Sequence, residues 1–248
     1  MGALNLLEKA EHFQIGRVQF GDNLPMHRLD SAEIRVMAEK MEESGIRVQT
    51  GTRRLTEANL KRYLQLAVQF RSPFVRMVID DAGFHPSESE VIRTIKSVLP
   101  DFRKAKVVLA IENHDRFPAK SLERIIRQTD EDFVGICLDT ANSLGAGEGI
   151  TEIVSVLAPY TVNLHVKDFI IRRVSHKMGF TVEGCPAGKG MLDIPWLIQE
   201  VGKFGRCDTA TLEVWSSPEA TIEKTLEKEK NWVDESVDYL KTVLKNDT

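Results

Sequence analysis

Cysteine is scarce. Cys137, Cys185 and Cys207 are the only three in 248 residues, and no two of them stand at the short spacing of a structural zinc site. An odd number cannot pair completely, so a disulfide scaffold is excluded and a reducing, cytoplasmic setting is expected. No apolar run approaches the ~20 residues a membrane-spanning helix needs, which argues against a membrane partner. The opening Met1-Gly-Ala-Leu-Asn-Leu-Leu-Glu-Lys9 has no basic stretch leading into an apolar core, so it does not read as a signal peptide. Long blocks of Lys or Arg are absent and the net charge is −4, which argues against nucleic acid as the main partner. Low-complexity stretches and a Pro- or Gly-rich linker are also missing, so residues 1–248 are expected to form a single domain.

What is present is a regular alternation of strand and helix patterns. The predicted strands are 17–20, 46–50, 74–79, 107–112, 134–138, 161–166 and 209–214. Helices are expected over 3–12, about 31–44 after Asp30 and before Gly45, 56–71, 87–99, 118–128, 151–158, and from 193 onward. Pro100 is expected to end the fourth, and the last stretch, after Pro218, to reach Lys245 in one or two pieces. A repeat of roughly 25–30 residues implies right-handed βαβ units around a parallel sheet. The length suits a (β/α)8 TIM barrel, which takes ~250 residues. Seven strands are legible, because the chain opens on what reads as the helix after a first strand. The predicted fold is therefore a TIM-barrel-like α/β domain with its first strand missing and the edges at 17–20 and 209–214 unpaired.

Four of these strands end alike. Val107-Val-Leu-Ala-Ile111 runs into Glu112, Val134-Gly-Ile-Cys-Leu138 into Asp139, Thr161-Val-Asn-Leu164 into His165, and Thr209-Ala-Thr-Leu212 into Glu213. A closed ring aims all its strand ends at one mouth, whereas an open sheet spreads them along a line. Four metal-ligand residue types in that position point to a shared cation. Three hard oxygens and one imidazole suit Mn²⁺ first, with Mg²⁺, Co²⁺ or Zn²⁺ as alternatives. Such a metal would polarise a carbonyl, and two glutamates on different strands could remove and return a proton beside it.

Ile111-Glu-Asn-His114, Leu138-Asp-Thr-Ala-Asn142, Leu164-His-Val-Lys-Asp168, Gly188-Lys-Gly190 and Leu212-Glu-Val-Trp215 together resemble the motifs of the xylose isomerase-like TIM-barrel superfamily, the broad sugar phosphate isomerase/epimerase group. The resemblance covers roughly residues 13–240 in motif order. It implies that Glu112, Asp139, His165 and Glu213 are metal ligands and that Glu112 and Glu213 double as the acid/base pair. The chain departs from many epimerases of the group at Asn142, where they carry His. The implied activity is a metal-dependent isomerase or epimerase acting on a ketose or keto-polyol, by proton transfer through an enediolate held on the metal. A dehydratase or lyase on a keto-polyol and a non-catalytic barrel are the alternatives. A phosphodiesterase of the endonuclease IV type would need a histidine-rich three-zinc cluster, and only six histidines are available.

Around the ligands, His114, Asn142, Lys167 and Arg172 are the candidate substrate contacts. Lys167 lies two residues beyond His165, so alternation points it to the same side. Arg53, Arg173 and Lys189 share with Arg172 the capacity to hold a phosphate or carboxylate substituent. Asp22 and His27 follow an early strand and could line the mouth, and Trp215 could wall the sugar site. The long connection 169–190 reads as a lid, with Gly179, Gly184, Gly188 and Gly190 giving it flexibility. The expected partner is a small sugar, and a homo-oligomer is allowed.

Overall fold

Each apolar run is followed by an amphipathic segment that can cover it, and the chain folds accordingly. A computed structural model describes residues 2–246. Along it lie α1 (Ala3–His12), β1 (Arg17–Phe20), α2 (Ser31–Ser44), β2 (Arg47–Arg53), α3 (Glu57–Gln69), β3 (Phe74–Val78), α4 (Glu88–Ala105), β4 (Val108–Glu112), α5 (Ala119–Thr129), β5 (Val134–Asp139) and α6 (Ile150–Leu157). Then come β6 (Thr161–Val166), β7 (Phe169–Arg173), β8 (Phe180–Gly184), α7 (Ile194–Gly202), β9 (Ala210–Leu212) and α8 (Ile222–Asn246). Seven strands form one parallel sheet in the order β1-β2-β3-β4-β5-β6-β9, a nearly closed barrel. Among the described residues no strand pairs with the free edges of β1 and β9.

The helices start and stop where their chemistry dictates. Asp30 caps α2 by accepting from the backbone N–H groups of Ala32 and Glu33, while Glu33 returns a bond to Asp30 N. Ser87 and Glu90 form the same reciprocal pair at α4. Outward-facing strand residues such as Leu109, Ile111, Ile136 and Leu138 join Ile95, Leu122 and Ile126 from the helices in one continuous buried cluster. No helix of the described residues is long and apolar enough to cross a membrane.

Two expectations are corrected. Pro100 does not end α4. The helix runs through it to Ala105, because Val98, Leu99 and Phe102 stay buried on one continuous face, and it stops where Lys106 turns left-handed (φ 56°). Residues 169–190 are not a loose lid. They fold into the antiparallel hairpin β7–β8 and a tight return. Gly188 and Gly190 are close-approach positions there, not hinges: a side chain on Gly188 (φ +81°) would strike the Tyr239 ring, and one on Gly190 the Asp168 carboxylate. Asp168 organises this return by accepting from Phe169 N, Gly188 N, Gly190 N and Leu192 N. Of the two alternatives for the C-terminal stretch, the structure takes the single helix, α8.

Candidate metal centre

Register delivers the acidic strand ends to one place. Glu112 stands beside Cys137, and Asp139 beside His165. A bulge after Ile136 sets Asn163 and His165 in phase with Cys137 and Asp139, so all four side chains point inward. Glu213 follows β9 directly, and its backbone N–H donates to Val166 O at 3.1 Å. His165 Nδ1 then lies 3.0 Å from Glu213 Oε2, 3.4 Å from Glu112 Oε2 and 3.8 Å from Asp139 Oδ2. Glu112, Asp139 and His165 are almost wholly buried, whereas the Glu213 side chain is 38% exposed.

Each donor atom is aimed by a neighbour. Asp139 Oδ1 accepts from Ala141 N and Asn142 N, which leaves Oδ2 facing the cluster. Asn113 pins the Asp139 backbone from both sides, accepting from its N–H at 2.7 Å and donating to its carbonyl at 2.8 Å. His165 Nε2 lies 2.6 Å from Gln19 Oε1, an acceptor, so Nε2 carries a proton and the ring is held with Nδ1 turned toward the carboxylates. Arg76 Nε donates to Glu112 Oε2 and Asn142 Nδ2 to Glu112 Oε1 at 2.9 Å.

Lys167 Nζ lies 2.9 Å from Asp139 Oδ2 and 3.1 Å from Glu213 Oε1, with Asn142 Oδ1 at 3.4 Å. Burial alone would lower the Lys167 ammonium, but the Asp139, Glu213 and Glu112 carboxylates outweigh it and hold the group protonated. Burial would likewise raise Glu213, yet His165 and Lys167 overcome it and bring its carboxyl down to about 2. Asp139 is pushed up by burial, against the pull of Lys167.

This set fits a divalent cation. Asp139, His165 and Glu213 each offer one ligand atom within 4.8 Å of the others. Asp139 Oδ2 and His165 Nδ1 are buried and make no well-formed hydrogen bond, even though Lys167 and Glu213 lie within ion-pair distance. Three carboxylates face two permanent cations, Arg76 and Lys167, an imbalance that a further positive charge would relieve. The histidine's second nitrogen engages a carbonyl oxygen, the usual outer support of a metal-bound imidazole.

Of the expected substrate contacts, Asn142 and Lys167 reach this cluster. His114 does not: its Nδ1 faces Asp115 Oδ2 at 3.2 Å, with the side chain 35% exposed. Arg172 is not brought to the cluster either. It stands on β7 with its side chain 61% exposed and Glu183 3.7 Å away, because the segment is a hairpin. Trp215 donates to Asp168 O and packs against Gly184, so it serves the hairpin's base. Residue patterns missed Arg76, Gln19 and Asn113. A signal existed for Arg76, a charge at an inward position of an otherwise apolar strand.

A nearly closed barrel of seven parallel strands, with a carboxylate-rich, histidine-containing cluster at the carboxyl ends of the strands that could hold a metal ion, defines the class as α/β TIM-barrel proteins. Within that class, this chain belongs to the xylose isomerase-like TIM-barrel family, whose model matches residues 28–243. It is 30% identical over 242 residues to 3-oxo-isoapionate decarboxylase of Pectobacterium atrosepticum, an alignment covering 98% of this chain and 88% of the relative. The D-psicose 3-epimerase of Clostridium cellulolyticum H10 superposes with a TM-score of 0.74 at 12% identity, covering 96% of this chain and 91% of that one. A xylose isomerase-like TIM-barrel protein from Mycobacterium smegmatis, solved with magnesium, superposes with a TM-score of 0.72 at 14% identity, covering 96% and 90%.

Proposed function

We propose that this chain is a divalent-metal-dependent enzyme that removes CO₂ from a 3-oxo sugar acid. The observation that carries the reading is an asymmetry between the two glutamates and the lysine. Both oxygens of Glu112 are engaged, by Arg76 and Asn142, while Lys167 brings a protonated amine to within 3.1 Å of Glu213. That arrangement offers one proton donor beside the ligands in place of two free bases. The identity to a decarboxylase over nearly the whole chain supports the same choice.

A divalent cation held by Glu112, Asp139, His165 and Glu213 would supply Lewis acidity toward the 3-oxo group, with Mn²⁺ or Mg²⁺ suited to the oxygen-rich set. In the reaction the bond between the carboxylate carbon and C2 breaks, CO₂ leaves, and its electron pair becomes an enolate. The enolate carbon then takes one proton. Lys167 Nζ is the group placed to deliver it, and Glu213 and Asp139 keep that ammonium at the site. Gln19 holds the imidazole with Nδ1 turned toward the carboxylates, and Arg76 holds Glu112 in one orientation.

A second reading is sugar isomerisation or epimerisation. It is favoured by Glu112 and Glu213 approaching His165 Nδ1 from different strands, as a proton-removing and proton-returning pair would. The two readings separate on one measurement. With Mn²⁺ and a 3-oxo sugar acid, the first requires one CO₂ per substrate and a Lys167→Met variant slower by roughly 10²–10⁴-fold. If no 3-oxo sugar acid loses carbon, and a ketose instead takes up solvent deuterium with its carbon skeleton intact, decarboxylation is wrong and the second reading stands.

A further inference from the structure

Beside the metal centre lies a cleft of about 570 Å³ that the chemistry above does not use. It opens between the turn after β1, the β2–α3 loop and the exit of β3. Four guanidiniums, Arg28, Arg53, Arg54 and Arg62, line it against two carboxylates, Asp22 and Asp81. The ion pairs among them are loose. Arg53 Nη1 lies 3.4 Å from Asp22, Arg53 Nε 3.7 Å from Asp81, and Arg54 Nη1 3.6 Å from Asp81. Arg53 Nε is buried without a hydrogen-bond partner. Arg28 has no carboxylate partner among the described residues, and Arg62 is seen to donate to the carbonyl of His27 at 3.0 Å.

The walls are fixed in place. His27 Nδ1 and the buried Tyr63 hydroxyl are 2.7 Å apart, tying the turn after β1 to α3. Asn59 Nδ2 donates to the carbonyls of Arg53 and Arg54, holding the β2–α3 loop. Arg54 sits at φ +72°, a backbone state that a branchless glycine adopts easily and an arginine does not, so the loop keeps this side chain at a conformational cost. The cleft is wired to the metal centre by alternating charge: Glu112 to Arg76, Arg76 Nη1 to Asp22 at 3.0 Å, and Asp22 to Arg53.

We propose that this cleft binds the phosphoryl group of a phosphorylated substrate whose reacting end lies at the metal centre. A surplus of two positive charges matches a phosphate monoester dianion, and guanidinium N–H groups left loosely paired are the donors that phosphate oxygens take up. The Thr56 end of α3 adds further backbone N–H dipoles to the same space. A fixed anion subsite beyond Arg76 sets which end of the substrate reaches Lys167. The inference deepens the proposed activity and rests on it for the place of the reacting end, but anion binding is measured without turnover or metal.

The test is calorimetric titration of inorganic phosphate into the full chain, freed of metal with EDTA, at constant ionic strength. Saturable binding in the low millimolar range or tighter is expected, weakened about fivefold or more in both Arg53→Ala and Arg28→Ala. Arg28 is exposed and pairs with no carboxylate, so its loss leaves the fold intact; the thermal midpoint checks this for both variants. Phosphate binding unchanged in Arg28→Ala and in folded Arg53→Ala would mean an adventitious ion only and overturn the proposal. So would the absence of saturation, or malonate binding as tightly as phosphate, which would mark a carboxylate site. Failure of decarboxylation with phosphate binding intact would overturn the activity and leave the subsite.

Discussion

The barrel has a closed wall and a seam. From β2 to β6 every strand is hydrogen-bonded on both edges, and the proposed ligands Glu112, Asp139 and His165 are buried. Between β1 and β9 there is no ladder among the described residues. That gap is an apolar cleft of about 350 Å³ lined by residues such as Leu6, Val18, Leu212, Val237 and Leu240. Side chains span it instead: Arg17 reaches Asp208, while Gln19 reaches Asn163 and His165. The most exposed of the proposed ligands, Glu213, comes from the seam side. The wall therefore sets where most of the proposed ligands stand, and the seam supplies Glu213 and, through Gln19, the orientation of His165.

The contrast can be broken at its strongest point first. His165→Ala removes the ligand that touches both regions, and Mn²⁺ affinity measured by calorimetry should fall more than 100-fold, beyond the 10–100-fold typical of outer-shell changes. Unchanged affinity would mean that the cation is held elsewhere. Next, packing should differ between the regions. Leu109→Ala in the wall should cost about 4 kcal/mol in urea unfolding, near the top of the range for buried leucine. Leu240→Ala, lining a cleft that already lacks neighbours, should cost about 2 kcal/mol. Equal costs would show the seam to be as well packed as the wall.

The wall was legible in the sequence and the seam much less so. Apolar runs ending on Glu112 and Asp139 announce buried parallel strands, because a strand covered on both faces is largely apolar until it reaches the mouth of the barrel. The bulge after Ile136 is invisible in the pattern, yet it is what puts His165 beside Asp139. Arg76 was overlooked because one charge in Phe74-Val-Arg-Met-Val78 looks like noise, until Glu112 and Asp22 are seen on either side of it. The 169–190 segment misled for another reason. Glycines suggest mobility, but here two of them are needed because Asp168 and Tyr239 leave no room for a side chain, and periodicity carries no trace of such contacts.

Gln19 sharpens the comparison at intermediate size. It lies on the seam strand β1, yet its Oε1 orients the wall ligand His165. Gln19→Leu should cost about tenfold in Mn²⁺ affinity while moving the unfolding midpoint little. An affinity loss matched by a large stability loss would make Gln19 a packing residue, not an orienting one.

The smallest effect belongs to the outer side of the wall. Asp130 accepts from Phe133 N, Asp132 N and Arg103, tying the end of α5 to α4. Burial would raise its carboxyl, but these donors prevail and hold it below its usual 3.8. The folded state thus binds the Asp130 proton more weakly than the unfolded chain does. Its contribution is full above pH 3.8 and is lost as the pH falls through the lower folded value. Since the Arg103 side chain is 53% exposed, solvent screening limits the ion-pair part to less than ~1 kcal/mol. Stability curves for wild type and Asp130→Asn, taken by urea unfolding from pH 7 to pH 3, should therefore differ near neutrality and converge at the acid end. A gap that widened on acidification would reverse the sign and remove Asp130 from the list of groups that hold the wall together.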